Sequence, residues 1–218
     1  MWNEQIIMML LEGIKDTLYM TLTSTLIGYV IGLPMGILLT VTDKDGIHPN
    51  AAVYKVLDVI ANLIRSVPFL ILLIVLIPFT RFLIGRSYGP TATIVPLVIA
   101  AAPYIARMVE SSLKEVDAGV IEAARSMGAS NFTIVTKVML VEARTSLIVG
   151  ATISLGTILG YSAMAGTVGG GGLWGYDCYG YTRWQTDIMI VTVILLVILF
   201  QIFQTIGMKL ASNLDRRK

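Results

Sequence analysis

Cysteine and histidine are nearly missing from this 218-residue chain, which has one of each, Cys178 and His48. A lone cysteine cannot close an intrachain disulfide, and a single distant histidine gives it no partner for zinc or copper, so no metal site is expected. Charge is also scarce: 16 Lys and Arg and 14 Asp and Glu make 14% of the residues, against about 25% in ordinary soluble domains. A net charge of +2 gives no argument for a nucleic-acid partner, and none is expected. Catalytic motifs are absent. There is no G-x4-G-K-[ST] turn to cradle phosphates, and the glycine cluster Gly169–Gly172 runs into Leu173 and Trp174, without the lysine such a turn requires. No G-x-S-x-G, no H-E-x-x-H and no carboxylate pair inside an apolar segment is found, so no catalytic residue is assigned and the chain is not read as an enzyme. The N-terminus MWNEQIIMMLLEGIKD carries acidic residues where a signal peptide carries Lys or Arg, and reads as mature protein.

What is abundant is apolar surface: 56% of the residues are hydrophobic and the mean hydropathy is +0.79. A helix needs about 20 mostly apolar residues to cross a bilayer, because every backbone polar group must be bonded internally. The charge-free intervals 17–42, 87–106, 145–176 and 188–208 meet that length. A fifth, SVPFLILLIVLIPFT between Arg65 and Arg81, is short, and VLDVIANLI before it supplies the missing turns. The expected fold is an all-α integral membrane protein, one transmembrane domain over 1–218. Its five transmembrane helices are expected near 18–41, 57–80, 91–109, 145–166 and 188–209. With the N-terminus outside, twelve basic residues between Lys44 and Lys218 face inward against Lys15, Arg81, Arg86 and Arg183. That bias puts the C-terminus inside. In the first span Gly28, Gly32 and Gly36 recur every four residues, a small-residue face suited to close helix packing. Gly156 and Gly160 repeat that spacing.

The cytoplasmic loop 110–144 has helical periodicity. DAGVIEAARSMG places Val120, Ile121, Ala124 and Met127 on one face and stops at Gly128, a C′ glycine. Ser130 can cap a second helix, NFTIVTKVML, in which Phe132, Val135 and Val138 share a face. Helix, glycine turn and helix make a compact amphipathic unit that suits docking into a partner's groove.

Glu122-Ala123-Ala124, three residues, Gly128, nine residues, then Val138-Met139-Leu140 resembles the EAA loop of ABC importer permeases, E-A-A-x3-G-x9-I-x-L-P. Val138 stands for the usual Ile and Val141 for the usual Pro. RSVPFLILLIVLIPFTR, IVPLVIAAAPYIARMVE and GYSAMAGTVGGGGL are similar to the permease subunit of the methionine importers, a five-span branch of that family. The resemblance covers roughly residues 14–175, and the segment WGYDCYGYTRWQTD fits it less closely. It implies a permease of the bacterial inner membrane, multi-pass and in contact with lipid, working as a homodimer. Its partners would be two cytoplasmic ATPase subunits and an extracytoplasmic substrate-binding lipoprotein. No cofactor is implied in this chain, since ATP and Mg would sit on the ATPase. Glu122, Ala123, Ala124, Gly128 and Leu140 would form the ATPase-coupling contact. For a methionine path, Tyr161, Ser162 and Met164 near the outer end of the fourth span are the gate or pathway candidates. A permease for another small amino acid or peptide is the near alternative. An ion-coupled carrier is the competing class, and the charge-free centres of four spans argue against it.

Overall fold

A computed structural model describes residues 4–173, 175 and 186–214, so most of the aromatic segment after the glycine run, and the tail 215–218, lie outside the described residues. Every regular element among the described residues is helical: α1 (Glu4–Thr42), α2 (Ala51–Ser66), α3 (Phe69–Val75), α4 (Ile77–Ile84), α5 (Pro90–Lys114), α6 (Ala118–Ser126), α7 (131–142), α8 (Arg144–Gly166) and α9 (Thr186–Leu214). Four of them, α1, α5, α8 and α9, are each long and apolar enough to cross a membrane.

The second span differs from expectation. In place of one helix over 57–80, α2 and α3 meet at a bend of 101°. Pro68 has no N–H to donate, and its ring drives the preceding residue out of the helical region. Val67 accordingly sits at φ −84°, ψ 125° and ends α2, and Pro68 starts α3. A second interruption at Leu76 separates α4, which ends on Gly85 at φ +81°. Taken as one broken span, α2 and α3 bring the number of crossings to five. α1 also departs from the expected start at residue 18: it begins at Glu4, and it contains Pro34. Charge gaps locate an apolar run; they do not stop a helix from extending through Glu12, Lys15 and Asp16.

α5 is the centre of the fold: 72% of its most apolar stretch is buried, against 11% for α9. Its alanines Ala101, Ala102 and Ala106 face the glycine stripe of α1. A Cβ added at Gly28 would stand 3.0 Å from Ile105 Cδ1, at Gly32 2.6 Å from the Ala102 carbonyl oxygen, and at Gly36 2.5 Å from the Ala106 carbonyl oxygen. Apolar burial gives no drive between helices in lipid, so this close backbone approach supplies the dispersion contact that replaces it. α8 joins the same core through Ser146, whose hydroxyl donates to Ser112 of α5 at 3.0 Å, and through Gly150, packed on Met108. α9 packs on α8: a Cβ at Gly156 would lie 2.6 Å from the Phe200 ring, and Gly207 abuts Thr152. Gly160, spaced like Gly156, has nothing within 4 Å of its Cβ position.

Gly32→Ala is expected to cost about 1–3 kcal/mol, because the new methyl meets a carbonyl that cannot swing away. Gly160→Ala should leave stability unchanged or slightly higher, since alanine favours helix where space is open. Thermal unfolding of the two variants in detergent checks the contrast, and equal midpoints would contradict it.

Candidate functional site

Besides the glycine stripe of α1, the residues singled out by the sequence lie in two regions of the chain, the loop from 115 to 143 and the glycine-rich end of α8. α6 starts on Asp117, whose carboxylate accepts from the Gly119 N–H at 2.7 Å. It ends in a paired closure: the Ala129 N–H donates to the Ala124 carbonyl at 3.1 Å and the Gly128 N–H to the Arg125 carbonyl at 2.9 Å. That six-to-one, five-to-two pattern requires a left-handed residue between them, and Gly128 supplies it at φ +81°. Ser130 then accepts from the Thr133 N–H at 3.3 Å and opens α7.

α7 is wound as an α turn at Asn131–Thr133, a π-helical stretch at Ile134–Met139 and an α turn at Leu140–Glu142. The wider π turn brings residues five apart onto one side. Ile134 and Met139 are therefore buried, with Val135 and Val138 packed beside them. The expected face through Phe132 is displaced by this winding, and Phe132 is 77% exposed. Met127, expected on one face with Ala124, lies past the end of α6 in the turn and is 82% exposed. Ala124 is buried; Glu122, Ala123 and Gly128 are exposed, and Leu140 is half-buried against the core.

A cleft of about 620 Å³ separates this hairpin from the end of α1, with Asp43, Ile47, Lys114, Glu122, Arg125 and Met139 on its walls. Arg125 bridges it, donating through Nη2 to the Ile47 carbonyl at 2.7 Å.

At the other end, the run Gly169–Gly172 makes a tight loop in which Gly169, Gly171 and Gly172 have positive φ. The Gly89 N–H donates to the Gly169 carbonyl at 2.9 Å, and the Leu173 N–H donates to the Thr17 hydroxyl at 3.0 Å. The loop is thus clasped between α1 and the start of α5. Of the three pathway candidates, Ser162 is sealed in the seam between α8 and α1, donating to the Leu159 carbonyl at 2.8 Å and lying 3.5 Å from the Thr21 hydroxyl. Tyr161 is half-buried, its ring stacked on Phe69 at 4.6 Å. Met164 alone of the three is open, at 44% exposure.

Sequence reading misses a ladder of charges along α5. Lys114 bonds Asp43 at 2.6 Å and Glu110 at 2.8 Å; Glu110 bonds Arg107 at 2.7 Å; Arg107 bonds Asp58, and Asn62 at 2.9 Å. The signal is present in the spacing of Arg107, Glu110 and Lys114, three and four residues apart and so on one helix face. Arg65, at the end of the same helix as Asp58 and Asn62, is exposed and makes no ion pair among the described residues. The Lys114 ammonium, hydrogen-bonded to Asp43, holds that carboxyl below the usual carboxylate range. A depressed native value means the contribution of Asp43 to stability is complete above the unfolded value of about 3.9 and is lost as pH falls from there through the native one. Wild-type protein should therefore keep this tie at pH 5. Asp43→Asn should lower the unfolding midpoint at pH 7 and shrink its further fall below pH 4, as followed by thermal melts across that range.

Residues 28–218 match the family described as binding-protein-dependent transport system inner membrane component. The chain is 45% identical over 210 residues to the probable D-methionine transport system permease protein MetI of Vibrio cholerae, covering 96% of this chain and 93% of that one. It is 51% identical over 164 residues to D-methionine transport system permease protein MetI of Escherichia coli, covering 75% and 76%. A solved structure of the MetNI methionine ABC transporter in an inward-facing conformation superposes with a TM-score of 0.97 at 46% identity, over 99% of this chain and 100% of that one. The chain belongs to the family of binding-protein-dependent transport system inner membrane components.

Proposed function

We propose that this chain is the permease subunit of an ATP-driven methionine importer of the bacterial inner membrane. The observation that carries the reading is the likeness to the MetNI methionine transporter over nearly the whole of both chains. Two copies of the permease line the path, two ATPase subunits bind its cytoplasmic side, and an extracytoplasmic binding lipoprotein delivers the substrate. The chain's own sequence has no phosphate-binding turn, so ATP and Mg are handled by the ATPase. The distribution of Lys and Arg supports an N-terminus outside and a C-terminus inside.

The α6–α7 hairpin is the coupling element. Its tip exposes Ala123, Met127 and Phe132, and Glu122 is exposed with them. Exposed apolar side chains clustered on a soluble loop mark a protein contact, and the side they occupy is the one where an ATPase must bind. The left-handed turn at Gly128 fixes the angle between the two helices, while Ala124 and Leu140 anchor the hairpin on the core. The hairpin continues into α5 at one end and α8 at the other. A displacement at its tip therefore acts on the two helices packed at the centre of the molecule. On the substrate side, Met164 is the pathway residue we assign. Tyr161 and Ser162 support it from behind, since their side chains engage Phe69 and Thr21.

The reading is tested by uptake of labelled methionine, offered as each enantiomer, in proteoliposomes that contain the permease, its ATPase and the binding protein. Uptake should require ATP. Uptake by the permease alone on a proton or sodium gradient would replace this reading with an ion-coupled carrier. Gly128→Glu strains the left-handed position and puts a charge at the docking turn. It should leave ATP hydrolysis running while uptake falls toward background; coupled transport at the wild-type ratio would remove the hairpin from this role. Met164→Glu should reduce uptake in a complex that still assembles, and wild-type uptake would take Met164 out of the path.

A further inference from the structure

Glu110 is 5% exposed and lies between two cations, Arg107 at 2.7 Å and Lys114 at 2.8 Å. The two cations reach in different directions. Lys114 goes to Asp43, just past the end of α1, and Arg107 goes to Asp58 and Asn62 on α2. Lys114 also lies 6.0 Å above the ring of Tyr54 on α2, within cation–π range. Among the described residues, these contacts and a longer one from Arg107 to the Asp58 carbonyl are the side-chain polar links between α2 and the rest of the molecule. Beyond them, α2 rests on α5 and α1 by apolar contact and turns through 101° into α3, with Ala61 its single fully buried residue.

α1 needs no such tie, because its glycine stripe already locks it on α5. α2 has no comparable seam. The ladder starts where α5 passes into the hairpin: Lys114 is the last residue of α5, and α6 is capped by Asp117. A buried carboxylate that satisfies two cations at once fixes both, and loss of its charge leaves each cation without its inner partner.

We propose that Glu110 is a positioning residue for transport, its buried carboxylate making α2 travel with α5 when the α6–α7 hairpin is displaced. This rests on the importer reading, and the hairpin's attachment to an ATPase is taken from it. A ladder that only held the fold together would be replaceable by well-packed apolar side chains; one that makes α2 follow α5 through fixed charge pairs would not be.

The test uses the full complex with its binding protein in proteoliposomes, measuring ATP hydrolysis and methionine uptake together. Glu110→Gln is expected to keep hydrolysis near the wild-type rate while methionine carried per ATP falls by about fivefold or more, the span of a typical coupling energy. Glu110→Asp keeps the charge and should restore most of that ratio. Should Glu110→Gln fail to assemble, the combined replacement Asp43→Asn, Asp58→Asn, Arg107→Met, Glu110→Leu and Lys114→Met removes the whole ladder and strands none of its charges. Assembly of that variant with a lowered ratio supports the proposal. A wild-type ratio in either assembled variant overturns it, and so does failure of both to assemble, which would make the ladder structural. A wild-type complex that hydrolyses ATP and carries no methionine would overturn the importer reading itself.

Discussion

The close approach of α1 to α5 is the contact on which the remaining architecture depends. Gly28, Gly32 and Gly36 let the backbone of α1 lie against Ala101, Ala102 and Ala106, so near that an added methyl would meet a carbonyl oxygen or a neighbouring side chain. Inside a bilayer there is no water to be expelled, so helices hold together by dispersion and shape. Removing side chains from one face is the simplest way to increase both. With α1 in place, α5 is enclosed on several sides, and α8 packs on the pair through Gly150 and the Ser146–Ser112 bond. The glycine loop 169–172 then closes against the flank of α1 at Thr17 and against the start of α5, where the Gly89 N–H meets it.

The parts legible in the sequence are those whose physics is local. Charge gaps mark apolar runs because a charge is costly in hydrocarbon; a glycine every four residues marks a close seam because position i+4 returns to the same side of a helix. Gly128 as a left-handed stop and the caps at Asp117 and Ser130 follow from the few residue types those backbone positions accept. The parts that are not legible depend on contacts distant in sequence or on a change of helical winding. Pro68 is a visible breaker, yet the apolar run around it reads as continuous, and only the conformation of Val67 shows that the chain turns there. The π winding of Ile134–Met139 cannot be inferred from a 3.6-residue period, so the face expected to hold Phe132 is misplaced. Arg107, Glu110 and Lys114 read along the chain as charges near a membrane boundary. Their partners Asp43 and Asp58 come from other parts of the fold, which a linear reading does not bring together.

The two kinds of helix contact in this molecule differ in what they permit. A glycine–alanine seam works over a narrow range of distances, since dispersion falls off steeply once surfaces separate. It therefore favours one arrangement, and α1 with α5 is best regarded as a single body. An ion pair at a partly exposed edge keeps part of its attraction over a longer distance, and its side chains can follow a moving partner. The ladder uses that property on α2, the helix next to the bend at Val67 and Pro68, whereas buried Glu110 at its centre keeps the cations aligned. α9, with little of its surface buried in the chain, rests on α8 through Gly156 and Gly207. Rigid seams at the centre and compliant or small contacts at the periphery are the arrangement that the proposed coupling through the α6–α7 hairpin calls for, with α5 taking up a push and the outer helices following. On that proposal, the order of those contacts, tight first and compliant second, is what would let a bundle of mostly featureless apolar helices respond to a partner at one end.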